Sequence, residues 1–392
     1  MSSRLYFLAV CFGCLIVAAI ISFTRIYSVI CHRSESVLNY QGKSLALKQQ
    51  QRQRPQGGVD SSSVDRCYTI SSDWVQHLKP NNELNSLGCK QKLPKVLIIG
   101  ARTSGTRSLN RLLGFHPQLA TAAYEVKFFD KNFNRGLEWY KSQMPFSLPG
   151  QLTIESTEGY VYHRNASLRV SKTLGDDVKI IMMLRDPVAR SISDYLLTHQ
   201  RIHDSKMTSA HYKRIFKESR SIDRLLVSGK GKHGRRGSTK MSYTVENTFE
   251  KTVLRSPDQV SHKNIFIADS LYVYYLRSWV KKLMANHVLT VNAEIFARKP
   301  YEAVAKVEEF LGVKPFFKPD YFRFDMNTST FCLQKPQSIC MPRLPVDYPV
   351  ISEATITKLR GHFENSCRYL FLLLKHYVEV IGDIPLNYHP IE

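Results

Sequence analysis

The stretch of sequence that decides the fold is KVLIIGARTSGTRSLNRLLGFHP, residues 95–117. It opens with a continuous aliphatic run that ends at Gly100, and leucines then recur at helical spacing at Leu109, Leu112 and Leu113. A short apolar run, a glycine-containing turn and a periodic helix predict the first strand and helix of a parallel α/β sheet.

More strands and helices of the same kind follow along the chain. Buried strands are predicted in LTIEST (152–157), VKIIMMLR (178–185) and HVLTVNAE (287–294). A helix is predicted from Pro187 to about Arg201, since proline is tolerated in a first helical turn. Helical patterns predict further helices over 272–284, over 301–311 and from about Ser352 into the 370s. The expected fold class is α/β, with a P-loop-like parallel sheet flanked by helices.

The N-terminus predicts a membrane anchor. Residues 5–23 contain no charged side chain, and about 20 apolar residues span a bilayer as a helix. We therefore expect a cytosolic tail (residues 1–4), an N-terminal transmembrane signal anchor (5–23) and a lumenal remainder, with a cleaved signal peptide as the alternative. On a lumenal side, the Asn-X-Ser patterns at Asn165 and Asn327 would be glycosylation acceptors.

Composition separates a stem from a folded domain. Residues 33–66 are rich in Gln, Ser, Gly and Arg, and they hold too few large apolar side chains to offset their ordering entropy. We expect a lumenal stem over 24–90 and a folded domain over 91–392. The basic, glycine-rich segment 229–243 predicts a loop that either binds a polyanion or is a solvated insertion. The formal net charge of +22 favours polyanionic partners in general.

The cysteines suggest an oxidising compartment. Cys332 and Cys340 flank a short polar loop that contains a proline. They are the best disulfide candidates of the chain, with two unpaired thiols as the alternative. The pairing of Cys67, Cys89 and Cys367 stays open.

The turn after the first strand is a candidate anion site. Its residues are Arg102, Thr103, Ser104, Gly105, Thr106 and Arg107. The free backbone N–H groups and the dipole of a helix N-terminus both favour negative charge there. A phosphotransferase loop of the form GxxxxGK[ST] that starts at Gly100 would need lysine at the position of Thr106, which disfavours that class. A polar turn without a ligand is the alternative.

Several segments, taken in order, resemble the heparan sulfate glucosamine 3-O-sulfotransferase family. They are LIIGARTSGTRSL, YEVKFFD (124–130), GLEWYKSQMP (136–145), LRDPVARSISDY (184–195), KVEEFLGV (306–313) and the Cys332/Cys340 loop. The resemblance covers about residues 95–345 and identifies the chain as a divergent member. It implies a sulfotransferase fold and transfer of sulfate from 3′-phosphoadenosine 5′-phosphosulfate to the glucosamine 3-hydroxyl of heparan sulfate. It also implies a Golgi membrane location, no metal and no nucleic-acid partner.

The resemblance assigns a donor site. Residues 103–107 would hold the 5′-phosphosulfate, whose developing charge needs stabilisation in the transition state. Arg185 and Ser193 match the two contacts to the 3′-phosphate, and Phe331 and Arg343 complete the donor side. A structural ion pair with its neighbour in sequence is the alternative role for Arg185.

The resemblance also assigns an acceptor site. Glu125 matches the general base that takes the proton of the attacking hydroxyl, and Asp130 matches its acidic partner. A carboxylate suits the base role if partial burial raises its pKa. The implied acceptor-binding residues are Glu125, Lys127, Asp130, Lys131, Ser156 and Trp279.

This chain departs from the family at its sulfuryl end. Thr103 replaces a lysine that stabilises the leaving group, a loss that commonly costs about 100-fold in rate. Lys127 replaces a histidine, and if the segment is extended it shares a face with Glu125 and could restore the charge. Ser156 replaces an acceptor-contacting lysine, and Glu158 adds a negative charge. Two other functions therefore stay open: a domain that binds heparan sulfate or nucleotide without turnover, and a sulfotransferase for a different glycan.

Overall fold

The computed structural model describes residues 66–204, 248–283, 287–341, 350–377 and 379–381. The predicted anchor, nearly all of the predicted stem, the basic segment 229–243 and Arg343 lie outside these ranges. Within these ranges, no helix combines the length and the apolar character that crossing a membrane requires.

Fifteen strands are present among the described residues. In chain order they are β1 (Tyr68–Ile70), β2 (Gln76–Leu78), β3 (Lys90–Gln91), β4 (Val96–Gly100), β5 (Leu119–Thr121), β6 (Phe146–Ser147), β7 (Leu152–Ser156), β8 (Lys179–Leu184), β9 (Leu254–Ser256), β10 (Gln259–Val260), β11 (Val288–Asn292), β12 (Phe322–Asp325), β13 (Thr330–Leu333), β14 (Ile339–Cys340) and β15 (Glu379–Ile381). The strands predicted near 152, 178 and 287 are β7, β8 and β11.

Eleven helices, of which those that begin at residues 106, 187, 272, 300 and 353 were predicted, are present among the described residues. They are α1 (Asn81–Ser86), α2 (Thr106–Leu113), α3 (Gly136–Ser142), α4 (Ala166–Leu174), α5 (Pro187–Asp204), α6 (Phe249–Val253), α7 (Ile265–Ala268), α8 (Tyr272–Lys282), α9 (Ala293–Arg298), α10 (Pro300–Leu311) and α11 (Glu353–Tyr377). A π-helical turn (Phe128–Asn132) and short 3₁₀ turns (Phe133–Arg135, Tyr160–Tyr162, Pro319–Tyr321) complete the list.

Six parallel strands form the central sheet, in the order β15-β11-β8-β4-β7-β5. Every residue of β4 and β11 is buried, as expected for parallel strands covered on both faces. On one face, β4, β8 and β11 pack with helices α2, α9 and α10 in a single apolar core. This arrangement confirms the predicted parallel α/β sheet, and it brings the carboxyl ends of β4, β7 and β8 to one edge.

The N-terminal boundary of the domain differs from the one the sequence predicted. Residues 66–90, assigned to the stem, form β1, β2, α1 and the start of β3. A disulfide joins Cys67 to Cys89, and both cysteines pack with Tyr68, Leu84 and Ala120 in a small buried cluster. The folded unit therefore begins before residue 91, because the disulfide and this cluster fix the segment against β5.

The predicted Cys332–Cys340 disulfide is confirmed. The two residues face each other across the β13–β14 pair of a three-stranded antiparallel sheet. Asp325 on β12 lies within 4.8 Å of both sulfur atoms. Because the disulfide engages both sulfurs, no thiolate ligand is available there for a metal.

Candidate active site

The loop between β4 and α2, here called the phosphate loop, packs tightly against the turn that follows β7. Gly100 has a φ of 143°, and a Cβ added there would lie 2.6 Å from Val161 Cγ1 and 2.9 Å from the Glu158 carbonyl oxygen. Only glycine fits such a close approach. Gly105 precedes α2 with a φ of 88°, so the chain turns sharply into the helix and presents its first N–H groups.

The polar side chains of this loop are divided between its interior and its surface. Ser104 and Thr106 are buried. Thr103 has a φ of 58°, and its hydroxyl donates to the Arg102 carbonyl oxygen at 2.7 Å. Arg107 is exposed at the start of α2. Of the two loop arginines, Arg107 is therefore the one whose side chain lies at the surface of the site.

Arg102 belongs to a buried charge network beneath the loop. Its Nη2 donates to Asp269 Oδ2 at 3.0 Å, and its Nη1 lies 3.8 Å from Asp194 Oδ1. Arg190, fully buried, donates from Nη1 to Asp194 Oδ2 at 3.0 Å. Two carboxylates thus balance two guanidinium groups, and Arg102 anchors the loop. In the sequence, the only sign of the network is the i, i+4 spacing of Arg190 and Asp194 on α5.

Arg185 and Ser193 meet at the end of β8. Arg185 Nη1 donates to Ser193 Oγ and to the Thr103 carbonyl oxygen, both at 2.9 Å. The strand end, α5 and the phosphate loop therefore converge on one guanidinium group. The neighbouring Asp186 accepts from Ala189 N at 2.7 Å, as a side chain that caps the N-terminus of α5 does.

Besides Asp186, a second carboxylate group, that of Glu294, lies close to Arg185, and nothing in the sequence indicated it. Glu294 Oε1 lies 3.9 Å from Arg185 Nε and accepts from Asp186 N at 3.1 Å. Burial raises the pKa of Glu294 to about 7, and the charge of Arg185 opposes the shift. Glu294 follows Asn292, whose side chain caps α9, so its position depends on β11 lying next to β8 in the sheet.

Glu125 lies between the turn after β7 and Lys127. Its Oε1 accepts from Glu158 N at 3.2 Å, and its Oε2 lies 3.1 Å from Lys127 Nζ. The side chain of Glu125 is 29% exposed, so its carboxylate is accessible. Lys127 does reach Glu125, but the extended geometry assumed from the sequence is wrong. Lys127 is left-handed, with a φ of 54°, and the turn it starts brings the two side chains together.

A buried carboxyl group holds the Glu125 segment in place. Glu155 on β7 is fully buried and accepts from the Tyr140 hydroxyl at 3.2 Å, from Thr157 Oγ1 at 2.5 Å and from Val126 N at 3.4 Å. Burial raises its pKa to about 7, and these hydrogen bonds oppose the rise. Thr157 Oγ1 also accepts from Lys127 N. Residues 125–128 are therefore fixed to the end of β7.

Glu158 connects the candidate base Glu125 with the phosphate loop. Its backbone contacts both Glu125 and the close approach at Gly100. Burial, and then the charge of Glu125, raise the pKa of Glu158 to about 7, whereas Arg102 and Arg107 act in the opposite direction. The carboxyl group thus lies in the field of both the candidate base and the phosphate loop. The predicted extra negative charge falls within the site itself.

Asp130 and Lys131 lie on the π-helical turn beside Glu125. Burial raises the pKa of Asp130, and the charges of Lys131 and Lys127 oppose it. A Cβ at Gly159 would lie 2.8 Å from Asp130 Oδ2, so this carboxyl group packs against the turn after β7. Lys131 is exposed. The structure therefore brings Glu125, Lys127 and Asp130 into one cluster.

Two predicted contact residues are less accessible than the sequence suggested, and a third belongs to another sheet. Trp279 on α8 has an exposure of 0%; a glycan cannot reach it, so its assignment to the acceptor site is corrected to a core position. Ser156, the last residue of β7, is buried, with an exposure of 8%. Phe331 lies on β13, which packs on α9, and α9 carries the Phe296 ring that neighbours Gly105.

The class of protein follows from a family match. The sulfotransferase domain family matches residues 93–331, which include β4, the phosphate loop, Glu125, Arg185 and Ser193. The chain belongs to this family, and its parallel sheet with flanking helices is the sulfotransferase fold.

Among its relatives, the chain is a divergent member close to the heparan sulfate 3-O-sulfotransferases. It is 28% identical over 281 residues to heparan sulfate glucosamine 3-O-sulfotransferase 3B1 of Mus musculus, covering 70% of this chain and 62% of that protein. It is 28% identical over 281 residues to heparan sulfate glucosamine 3-O-sulfotransferase 5 of Homo sapiens, covering 70% of each. The chain thus spans somewhat less than two thirds of the length of the 3B1 protein.

One solved structure has a similar arrangement. The sulfotransferase from Alicyclobacillus acidocaldarius is 18% identical to this chain and covers 72% of it and 96% of its own length, with a TM-score of 0.45.

Proposed function

We propose that this protein transfers the sulfuryl group of 3′-phosphoadenosine 5′-phosphosulfate to the 3-hydroxyl of glucosamine residues in heparan sulfate. The observation that carries the proposal is the position of Glu125. Its accessible carboxylate is held by the backbone of Glu158, in the turn that packs against Gly100 of the phosphate loop. A base and an anion-binding loop fixed to the same turn can serve one reaction centre.

The donor would bind along the carboxyl edge of the sheet. The first N–H groups of α2 and the Arg107 side chain would receive the phosphosulfate, as a helix N-terminus favours negative charge. Arg185 and Ser193, already 2.9 Å apart, offer a guanidinium group and a hydroxyl to the 3′-phosphate. The resemblance adds Phe331 and Arg343 to this donor set. The donor's charges are met by these groups without a metal.

In the transfer step, the acceptor hydroxyl oxygen attacks sulfur, and the bond from sulfur to the bridging phosphate oxygen breaks. The hydroxyl proton passes to Glu125, and adenosine 3′,5′-bisphosphate leaves with the electron pair. Asp130 would shape the acceptor side from the π-helical turn, where Lys131 is exposed to the glycan. The Glu155 network would keep Glu125 in position while the proton moves.

Lys127 is proposed to supply the charge that the loop lacks at Thr103. Its Nζ lies beside the candidate base, next to the oxygen that must approach sulfur. Lys127→Ala should lower the turnover number by about 100-fold, a typical cost for one charge-assisted donor, while Lys127→Arg should retain most of the activity. Unchanged turnover in Lys127→Ala would contradict this role.

A second function is supported by specific observations. The Thr103 hydroxyl is engaged with the loop backbone, Arg102 is paired with Asp269, and Ser156 is buried. These features weaken the sulfuryl end of the site and favour a domain that binds heparan sulfate or nucleotide without turnover. The same acceptor-side changes also suit a sulfotransferase with a different glycan acceptor.

One assay separates these functions. Full-length protein is incubated with radiolabelled donor and a panel of glycosaminoglycans, and labelled products are mapped to disaccharides. Glu125→Gln should lower the rate by about 100-fold to 10,000-fold, while Glu364→Gln, exposed on α11, serves as the matched control. Label on heparan sulfate that maps to the glucosamine 3-position supports the proposal. Nucleotide binding without incorporation into any glycan would overturn it.

We also propose that the domain acts in the Golgi lumen, tethered by residues 5–23. Two disulfides, Cys67–Cys89 and Cys332–Cys340, suit an oxidising compartment. The side chains of Asn165 and Asn327 are exposed, as glycan acceptors must be. Protease protection in sealed microsomes, together with a mobility shift on enzymatic deglycosylation, tests this topology, and cleavage of the domain in intact vesicles would contradict it.

A further inference from the structure

Tyr124 is an exposed aromatic side chain next to the candidate base. It is 59% exposed, although Val126 and Phe128 in the same segment are buried. The mechanism above gives it no role. A large aromatic ring presented to solvent beside a reacting group is suited to contact a ligand, because its face is apolar and carries partial negative charge.

The ring is held by its hydroxyl group. Tyr124 OH donates to Gln143 Oε1 at 3.0 Å, and Gln143 Nε2 donates to Ser142 Oγ at 3.1 Å. The amide is therefore oriented, and Gln143 N in turn donates to the Tyr140 carbonyl oxygen at the end of α3. Because this hydrogen bond is made by the hydroxyl group at the edge of the ring, it restricts rotation of the Tyr124 side chain without covering the face of the ring. Less side-chain entropy is then lost when a ligand covers it.

The hydrogen-bond partner of Gln143, Ser142, lines an open depression of about 400 Å³. Ser142 lies on its wall, and the exposed lysines Lys90 and Lys141 line it, with Glu138 as the acidic exception. Flexible ammonium groups at the edge of a wide depression suit the carboxylates and sulfates of an acidic polysaccharide. The hydrogen bonds from Tyr124 to Gln143 and from Gln143 to Ser142 link the ring to the rim of this depression.

We propose that Tyr124 is a sugar-stacking subsite for the acceptor glycan, and that the glycan chain continues into this depression, where Lys90 and Lys141 meet its anionic groups. The C–H face of a pyranose ring carries partial positive charge and packs on the negative face of an aromatic ring. The inference rests on the proposed function in one respect, that an acidic glycan binds beside Glu125.

Binding of a heparan sulfate octasaccharide, measured by calorimetry on the full-length protein with adenosine 3′,5′-bisphosphate present, tests the stacking role. Tyr124→Ala should raise the dissociation constant about 10-fold, within the range for loss of one stacked ring. Tyr124→Phe keeps the ring and should change it less than about 3-fold. Tyr369→Ala is the matched control, because Tyr369 is 54% exposed on α11. Equal affinity in Tyr124→Ala and wild type would overturn the subsite.

The lysines are tested by glycan length. The double variant Lys90→Ala, Lys141→Ala should weaken binding of the octasaccharide about 10-fold, because two charge contacts are lost, and leave a disaccharide unaffected. Equal weakening of both ligands, or of neither, would contradict the proposed path.

Transfer assays test the Tyr124 subsite separately: Tyr124→Ala should raise the acceptor KM and leave the donor KM unchanged. A wild type that binds glycan without transfer would refute the proposed function while leaving the subsite intact.

Discussion

Replacing Glu158 by glutamine should remove a pH-dependent penalty on donor binding. The Glu158 carboxyl group lies in the field of Glu125 and of the loop arginines Arg102 and Arg107. When ionised, it repels an anionic phosphosulfate and competes for the same positive charges. When protonated, it does neither. Donor affinity should therefore be highest on the acid side of the pKa of Glu158 and should fall as the pH rises through it.

The size of the effect follows from the pKa of about 7, raised by burial and by Glu125. If the donor requires protonated Glu158, its dissociation constant rises about 2-fold at pH 7 and about 10-fold at pH 8 over the acidic limit. These factors correspond to about 0.4 and 1.4 kcal/mol. Asp194 also raises the pKa of Glu158, in the same direction as Glu125.

The assay is calorimetric titration of full-length protein with adenosine 3′,5′-bisphosphate from about pH 5.5 to pH 8.5. The phosphates of this ligand titrate near pH 6 and increase its charge as the pH rises, so the informative quantity is the ratio of wild-type to Glu158→Gln affinity. That ratio should fall about 5-fold between pH 7 and pH 8 and should approach a slope of about 10-fold per pH unit at higher pH. A ratio that stays constant across the range would refute the reasoning, and Glu364→Gln controls for an exposed charge.

Three further outcomes are expected. In the wild type, the free energy of unfolding should fall by up to about 3 kcal/mol between about pH 5 and pH 8, because a carboxyl group whose pKa is raised to about 7 opposes folding once it ionises. Glu155→Gln should not show this fall in thermal denaturation at the same pH values. Parallel pH profiles of the two proteins would contradict the prediction. Cys67→Ser with Cys89→Ser should cost about 3 kcal/mol in chemical denaturation, because the bridge closes a 22-residue separation; an unchanged midpoint would oppose this. Gly100→Ala should abolish nucleotide binding, while Gly361→Ala, with open space around it, should not.

The sequence was informative wherever a pattern is local. The aliphatic runs of β4, β8 and β11 and the turn at Gly100 predicted the parallel sheet, since buried strands and glycine turns depend on neighbouring residues. The Cys332–Cys340 bridge was also predicted, because its partners are close in sequence.

The sequence was wrong or silent where contacts are distant in the chain. Trp279 was assigned to the acceptor site, but packing buries it completely. The extended geometry expected at Lys127 gives way to a left-handed turn. Cys67 and Cys89 had no assigned partner, and their disulfide places residues 67–89, which were assigned to the stem, in the folded domain, since it fixes this segment against β5.

By itself, the sequence determined the class of fold and the position of the glycine turn after β4, because both depend on residue type and local spacing, and its resemblance to a known family proposed Glu125 as the candidate base. Only the tertiary structure decided how the charges are used. It paired Arg102 with Asp269 across 167 positions, placed Glu158 between Glu125 and the loop, and left the Tyr124 ring exposed. The physical reason is that burial and the summed field of neighbours set a side chain's charge state and accessibility, and those neighbours come from strands and helices that meet only in the folded chain.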